Sequence, residues 1–280
     1  MRYRRLFVLF ALLSTGAGAQ WMHYPTPGIP RTRDGKPNLS APVPKASNGK
    51  PDLSGLWQVE PTPHDEMTRL FGPDIFALSV PGDDIGALSK YVFSVFADLK
   101  PEEAPIRPEA ARIVESRMKA QGTGNPTTYC LPASVPFGGL LPFPNKFVQT
   151  PALIVILEEG DGNLRQIFTD GRKHTPDPQP TWMGYSIGRW EGDTLVVDTA
   201  GFNDQGWLDG SGHPRSEAMK IRERYRRRDF GHMDVEATID DPKMYTRPFT
   251  IKYTMDLVPD SEIGEYVCAE NEKDRTHFPK

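Results

Sequence analysis

From Gly201 to Glu217 the chain reads GFNDQGWLDGSGHPRSE, which places Asp204, Asp209, His213 and Glu217 beside Trp207 in one long connection. An imidazole oriented by a carboxylate can take up and return a proton. Long loops carried on a rigid sheet are where such groups are commonly found. His213 with Asp204, Asp209 or Glu217 is therefore the first pairing to test, with Asp204 taken as the orienting carboxylate. The bland alternative is a surface loop whose Asp and Asn side chains cap turns. His174, which follows the turn Thr169-Asp170-Gly171-Arg172, is expected at the same end of the molecule. Glu223 is a second candidate, because alternation puts it between Ile221 and Tyr225 on an apolar face. A carboxylate there must find a partner or titrate above its usual range, and a structural ion pair would explain it equally well. Tyr185, expected opposite Asp198, is a similar case.

These readings give His213, Asp204, Glu223 and Glu217 as expected catalytic residues. Tyr185, Trp190, Asp198, Trp207, Asp209 and His174 are the expected ligand contacts. No phosphate loop, dinucleotide fingerprint, nucleophile elbow or zinc-protease helix is present in the sequence. The spacing of His174, His213, Glu217 and His232 matches no recognised zinc pattern. Neither a metal nor another cofactor is expected.

The elements that must position these groups are strands. Leu153–Leu157 and Leu164–Thr169 flank Gly160-Asp161-Gly162-Asn163 and predict a hairpin. Tyr185–Trp190 and Asp193–Thr199 flank Glu191-Gly192, read as a type I′ turn that pairs Trp190 with Asp193. Asp229-Phe230-Gly231 fits a three-residue loop with glycine in the left-handed position. Pairing Arg228 with His232 then sets Ile221, Glu223 and Tyr225 against Ile239, Ala237 and Val235. On the other face Arg226 and Arg224 meet Asp234 and Glu236, so the basic run from Arg222 to Arg228 reads as a solvated, salt-bridged sheet face. Phe249–Leu257 alternates as a half-buried strand should, and Glu265–Ala269 is read as the last strand. About eight strands after Lys146, plus one near Trp57, must curl into a barrel or split into a sandwich.

The N-terminal half is different. Arg2, Arg4 and Arg5, the apolar run Leu6–Leu13 and Ala17-Gly18-Ala19 read as a cleaved secretory signal over 1–19. That run is far too short to span a bilayer, so no membrane anchor is expected after cleavage. Removing the leader takes away three positive and no negative charges, so the formal net charge of −4 becomes −7. An acidic chain argues against a nucleic-acid partner. Most of the 28 prolines precede Thr150, which predicts an extended arm over 20–55 in which DGKPNLS at Asp34 recurs as NGKPDLS at Asn48. A first strand at Gly55–Val59, a helix over Pro108–Gln121 and a Pro/Gly connector over Thr123–Asn145 are expected next, within 56–145. The meander occupies 146–280. Cys130 and Cys268 are the only cysteines, and in an oxidising compartment they are expected to pair, two free thiols being the alternative.

The phrases WMGYS at Trp182, GRWEGDTLVVDT at Gly188 and GFND at Gly201 resemble those of an uncharacterised family of secreted bacterial proteins. QIFTDGR at Gln166, RRDFGH at Arg227, EYVC at Glu265 and ENEK at Glu270 extend the resemblance over the C-terminal half. The resemblance implies export and brings no activity. Members often read His-Pro-His-Ser-Glu where this chain has His213-Pro214-Arg215-Ser216-Glu217, which weakens any scheme with a histidine pair. Gly55-Leu56-Trp57 is similar to the opening strand of lipocalin-like barrels, a fold-level analogy. The expectation is a mostly β, lipocalin-like barrel, closed or nearly so, with a Pro-rich, partly helical N-terminal arm. It would hold a small, partly apolar organic ligand at its mouth. An acid–base hydrolase or lyase using His213 or Glu223 with Asp204 is the alternative, and a structural envelope protein without a ligand the third possibility.

Overall fold

The computed structural model describes residues 25–78, 88–160, 162–175 and 178–268; the expected leader and its cleavage site lie outside them. Strands β1 (Gly55–Val59), β2 (Asn145–Gln149), β3 (Leu153–Glu158), β4 (Leu164–Phe168), β5 (Tyr185–Glu191), β6 (Thr194–Ala200), β7 (Lys220–Arg227), β8 (His232–Asp240) and β9 (Phe249–Leu257) follow one another around a closed barrel. Closure comes from β1, where Gly55 pairs with Phe147 of β2 and Trp57 with both Asn145 of β2 and Leu257 of β9. Among the described residues the barrel leaves no strand edge open, which removes the usual template for aggregation.

The β7–β8 register is the predicted one, with Ile221, Glu223 and Tyr225 against Ile239, Ala237 and Val235. The charges on its outer face pair differently from expectation. Arg224 reaches Glu191 at 2.9 Å, while Glu236 takes Lys252 at 2.8 Å and Asp234 takes Arg228 at 3.3 Å. Long side chains can choose a diagonal or next-strand partner, so register alone does not fix ion pairs.

Four expectations are corrected. The meander is not antiparallel throughout: β4 and β5 run parallel, Ile167 beside Ser186, because the connection after Phe168 carries the chain back along the barrel before β5 begins. Glu265–Cys268 forms no strand, since β1 already occupies the free side of β9, and Asn145–Gln149 supplies the missing one. In the β5–β6 hairpin Glu191 pairs with Thr194, so the loop is Gly192-Asp193, with Gly192 at φ +62°. A single positive φ at the first loop position suits a type II′ turn. Tyr185 therefore lies opposite Ala200, and Asp198 opposite Ile187. Finally, Gly231 is not left-handed. A Cβ there would lie 2.4 Å from that of Leu39, so glycine is needed to let the N-terminal arm approach.

That arm caps one end of the barrel. Gly231 and Phe230 donate their N–H groups to the carbonyls of Leu39 and Ala41, and Leu53, Trp57, Phe147, Tyr225 and Met233 form the core beneath. The other end is closed by the connector between β1 and β2, which includes α1 (His64–Phe71), α2 (Lys90–Phe93), α3 (Pro108–Lys119) and α4 (Phe137–Leu140). Val135, Leu140, Tyr91 and Phe96 from this region pack on Ile221, Ile239 and Ile251 of the barrel. The expected helix over Pro108–Gln121 is α3, with proline at its first turn. Its Met118 is 61 % exposed rather than packed. Cys130 and Cys268 form the expected bridge, joining residues 138 apart; on the chain-entropy model such closure stabilises by about 4 to 5 kcal/mol. No helix among the described residues is long and apolar enough to cross a membrane.

Candidate functional site

The connection between β6 and β7 builds a small rigid hairpin. Trp207 bridges Pro214, and the Leu208 N–H donates to the His213 carbonyl at 2.9 Å. At its tip Asp209-Gly210-Ser211-Gly212-His213 turns tightly, with Gly212 at φ +85°, a conformation that a side chain resists. The turn swings the Asp209 carboxylate under the imidazole, and His213 Nδ1 lies 2.6 Å from Asp209 Oδ2. Asp209 is 0 % exposed and is held by two backbone donors, Val95 N–H at 2.7 Å and His213 N–H at 3.2 Å. Gly210 donates its N–H to Val92 and Ser211 its hydroxyl to Phe93, which fastens the turn to α2.

This geometry fixes the tautomer. An ionised carboxylate can only accept, so against an ionised Asp209 Nδ1 carries the hydrogen, and in the neutral ring Nε2 then keeps its lone pair. Nε2 makes no hydrogen bond among the described residues. The ring packs edge-on against Phe96, with centroids 4.8 Å apart, and lines a cleft of about 640 Å3 with Phe71, Ser94, Leu99 and Ile106. Around the dyad, burial holds the Arg117 guanidinium below its ordinary value although Tyr245 and Asp209 favour its charge. Burial, reinforced by Asp209, pushes the Tyr245 hydroxyl well above the phenol range. Tyr245 remains a donor, to the Pro214 carbonyl at 2.7 Å.

Glu223 does face inward, 1 % exposed, and it has found a partner that sequence reasoning missed. The Arg165 guanidinium forks onto both its carboxylate oxygens, the Nη1 arm at 3.1 Å, while Tyr225 donates to it at 2.7 Å. Arg165 also donates to Ser186 at 3.1 Å and Thr199 at 2.9 Å. Burial is the largest single influence and opposes the Arg165 charge, but the Coulombic pull of Glu223, Tyr225 and Glu158 together with the hydrogen bonds to Glu223 holds the group above its ordinary value. Period-2 alternation could have found Arg165, since it shares a face with Ile167. The space left beside this network is about 20 Å3, enough for a water and not for an organic ligand.

The remaining candidates divide between places. His174, Tyr185 and Asp198 gather on the outer side of β5 and β6: His174 Nε2 lies 3.1 Å from the Asp198 carbonyl, and the Tyr185 ring stacks on Phe168. Asp198 takes Arg189 at 2.5 Å and Arg222 at 2.6 Å; partial burial works against its charge, but those two guanidinium groups hold it below the usual carboxylate range. His174, Asp198 and Glu217 line a groove of about 850 Å3. Trp190 points the opposite way from Tyr185, into the barrel core, and Trp207 is buried beneath Arg117, 4.6 Å from its ring. The three aromatic rings expected around one ligand therefore do not meet. Asp204 is exposed, and the carboxylate that contacts the His213 ring is that of Asp209. Arg215 is buried and knits Ser134, Trp182 and Asn203 together. No three His, Cys, Asp or Glu side chains converge to hold a metal ion among the described residues. Comparison of the chain with protein-family models, with curated proteins and with solved structures returns no match.

Proposed function

We propose that the protein is an exported acid–base enzyme, a hydrolase or lyase, whose small, partly apolar substrate binds outside the barrel in the cleft over His213. The observation that carries this reading is the Asp209–His213 dyad: a fully buried, doubly anchored carboxylate orients an imidazole whose Nε2 is left for the cleft. In hydrolysis Nε2 would take a proton from water as its oxygen forms the new bond, then return that proton to the departing group. In elimination it would take the proton from carbon as the C–H electrons form a C=C bond and the β-substituent departs with its own bonding pair, to be protonated in turn. Asp209 positions the ring and favours the imidazolium formed in between. The volume of the cleft falls in the range of small-molecule sites. Export is supported by the Cys130–Cys268 bridge, since such bonds persist in oxidising compartments.

A panel of nitrophenyl esters, lactones and β-substituted acids tests the reading. With a substrate found in this way, His213→Gln is expected to lower kcat by about 10²- to 10⁴-fold with an unchanged melting temperature, and Asp209→Asn to lower it as well. Full activity in folded His213→Gln overturns the assignment. A second reading, a binding protein, is favoured by the groove that gathers His174, Asp198 and Glu217. It predicts a ligand that raises the melting temperature of wild type and His213→Gln equally and is released unaltered.

A further inference from the structure

The cleft over His213 has an unbalanced charge. Among the groups that line it, Arg69 is forked onto Glu66 through two contacts of 2.7 Å, and Asp98 is engaged by Lys90 and by the Tyr91 hydroxyl. Each of these charges is therefore answered from within the protein. Lys100 differs: it is exposed on the same lining and its ammonium forms no ion pair among the described residues, the nearby Glu103 carboxylate accepting its backbone N–H at 3.2 Å instead. The rest of the wall is dominated by apolar side chains, Phe71, Phe96, Leu99 and Ile106 among them. A solvent-filled cleft with an oily wall, one unmatched cation and an oriented imidazole suits an amphiphilic anion.

We propose that this cleft takes an apolar carboxylate, a medium-chain alkyl or aryl acid or a carboxylate-bearing ester of one, with its anionic end at Lys100 and its hydrocarbon body against Phe96, Leu99 and Ile106. The proposal rests on the cleft being the substrate site and names the class of molecule that site selects. Lys100 is then the residue that sets specificity. The apolar wall supplies contact area and so tolerates chains of differing shape. An amine of the same length would meet Lys100 as a like charge, and an alcohol would lack the attraction.

Titration calorimetry with octanoate, octanol and octylamine against the full-length protein tests the idea directly. Octanoate is expected to bind up to about fivefold more tightly than octanol, the upper range for one exposed ion pair, and octylamine more weakly than either. Added salt should narrow the difference, because exposed charges are screened. Lys100→Glu should reverse the order of octanoate and octylamine, and Lys100→Gln should abolish the preference. The His213 ring signals in a nitrogen–proton correlation spectrum should shift on addition of octanoate. Equal affinity for the three ligands, an unchanged preference in Lys100→Glu, or no shift at His213 would each overturn the proposal. Charge-selective binding that survives in a protein without turnover would refute the enzyme and leave the ligand class standing.

Discussion

At the scale of single residues, two buried carboxylates of the same chain have different tasks. Asp209 faces an imidazole that lines a cleft, which is what the proposed acid–base role requires. Glu223 faces Arg165 inside a barrel with room for no more than water, so its effect stays within the fold. Removing one member of a buried, hydrogen-bonded ion pair typically costs about 3 to 5 kcal/mol, because the other charge is stranded. Glu223→Gln is expected to destabilise by that amount in urea denaturation. The double change Arg165→Met with Glu223→Leu should cost less than either single change, since it strands nothing. If Glu223→Gln lowered stability by under about 1 kcal/mol, the interior network would not be the structural element described here. Alternation with Ile167 marks Arg165 as inward-facing, but its pairing with Glu223 is not legible, because β4 takes its place beside β5 through a parallel pairing that no local pattern announces.

At the scale of elements, hairpins were legible and long-range placements were not. The β7–β8 register followed from two agreeing patterns, apolar residues on one face and opposite charges on the other, and it holds residue for residue. The β5–β6 register rested on a glycine alone, and glycine serves I′ and II′ turns equally, so the loop lies one residue further on. Gly231 illustrates the same ambiguity from the other side. Its type suggested a left-handed turn, whereas its use is contact with the arm at Leu39. Gly231→Ala is therefore expected to destabilise by about 1 to 3 kcal/mol, as overpacked sites do, and to loosen the arm, read as faster amide exchange at Phe230 and Gly231. An alanine variant as stable as wild type would show that the arm can shift at little cost.

At the scale of the whole molecule, the barrel is a scaffold closed at both ends, by the N-terminal arm on one side and by the connector with its short helices on the other. Sequence alternation was sufficient to foresee a mostly β meander that must curl into a barrel or split into a sandwich; closure itself comes from β1 pairing with both β2 and β9. It could not foresee that the mouth expected to hold a ligand is filled by Val135, Leu140 and Phe96. Nor could it choose among three carboxylates for His213, because that choice depends on a five-residue turn pressed against α2. The proposed site thus lies outside the barrel, on the rim where that turn meets the cleft. The state of the His213 ring tests this account most directly. Long-range nitrogen–proton correlation of the neutral imidazole should find the hydrogen on Nδ1 in the wild type, with Nε2 bare. A neutral ring carrying its hydrogen on Nε2 would contradict the account, since the nitrogen not bonded to Asp209 could then accept no proton.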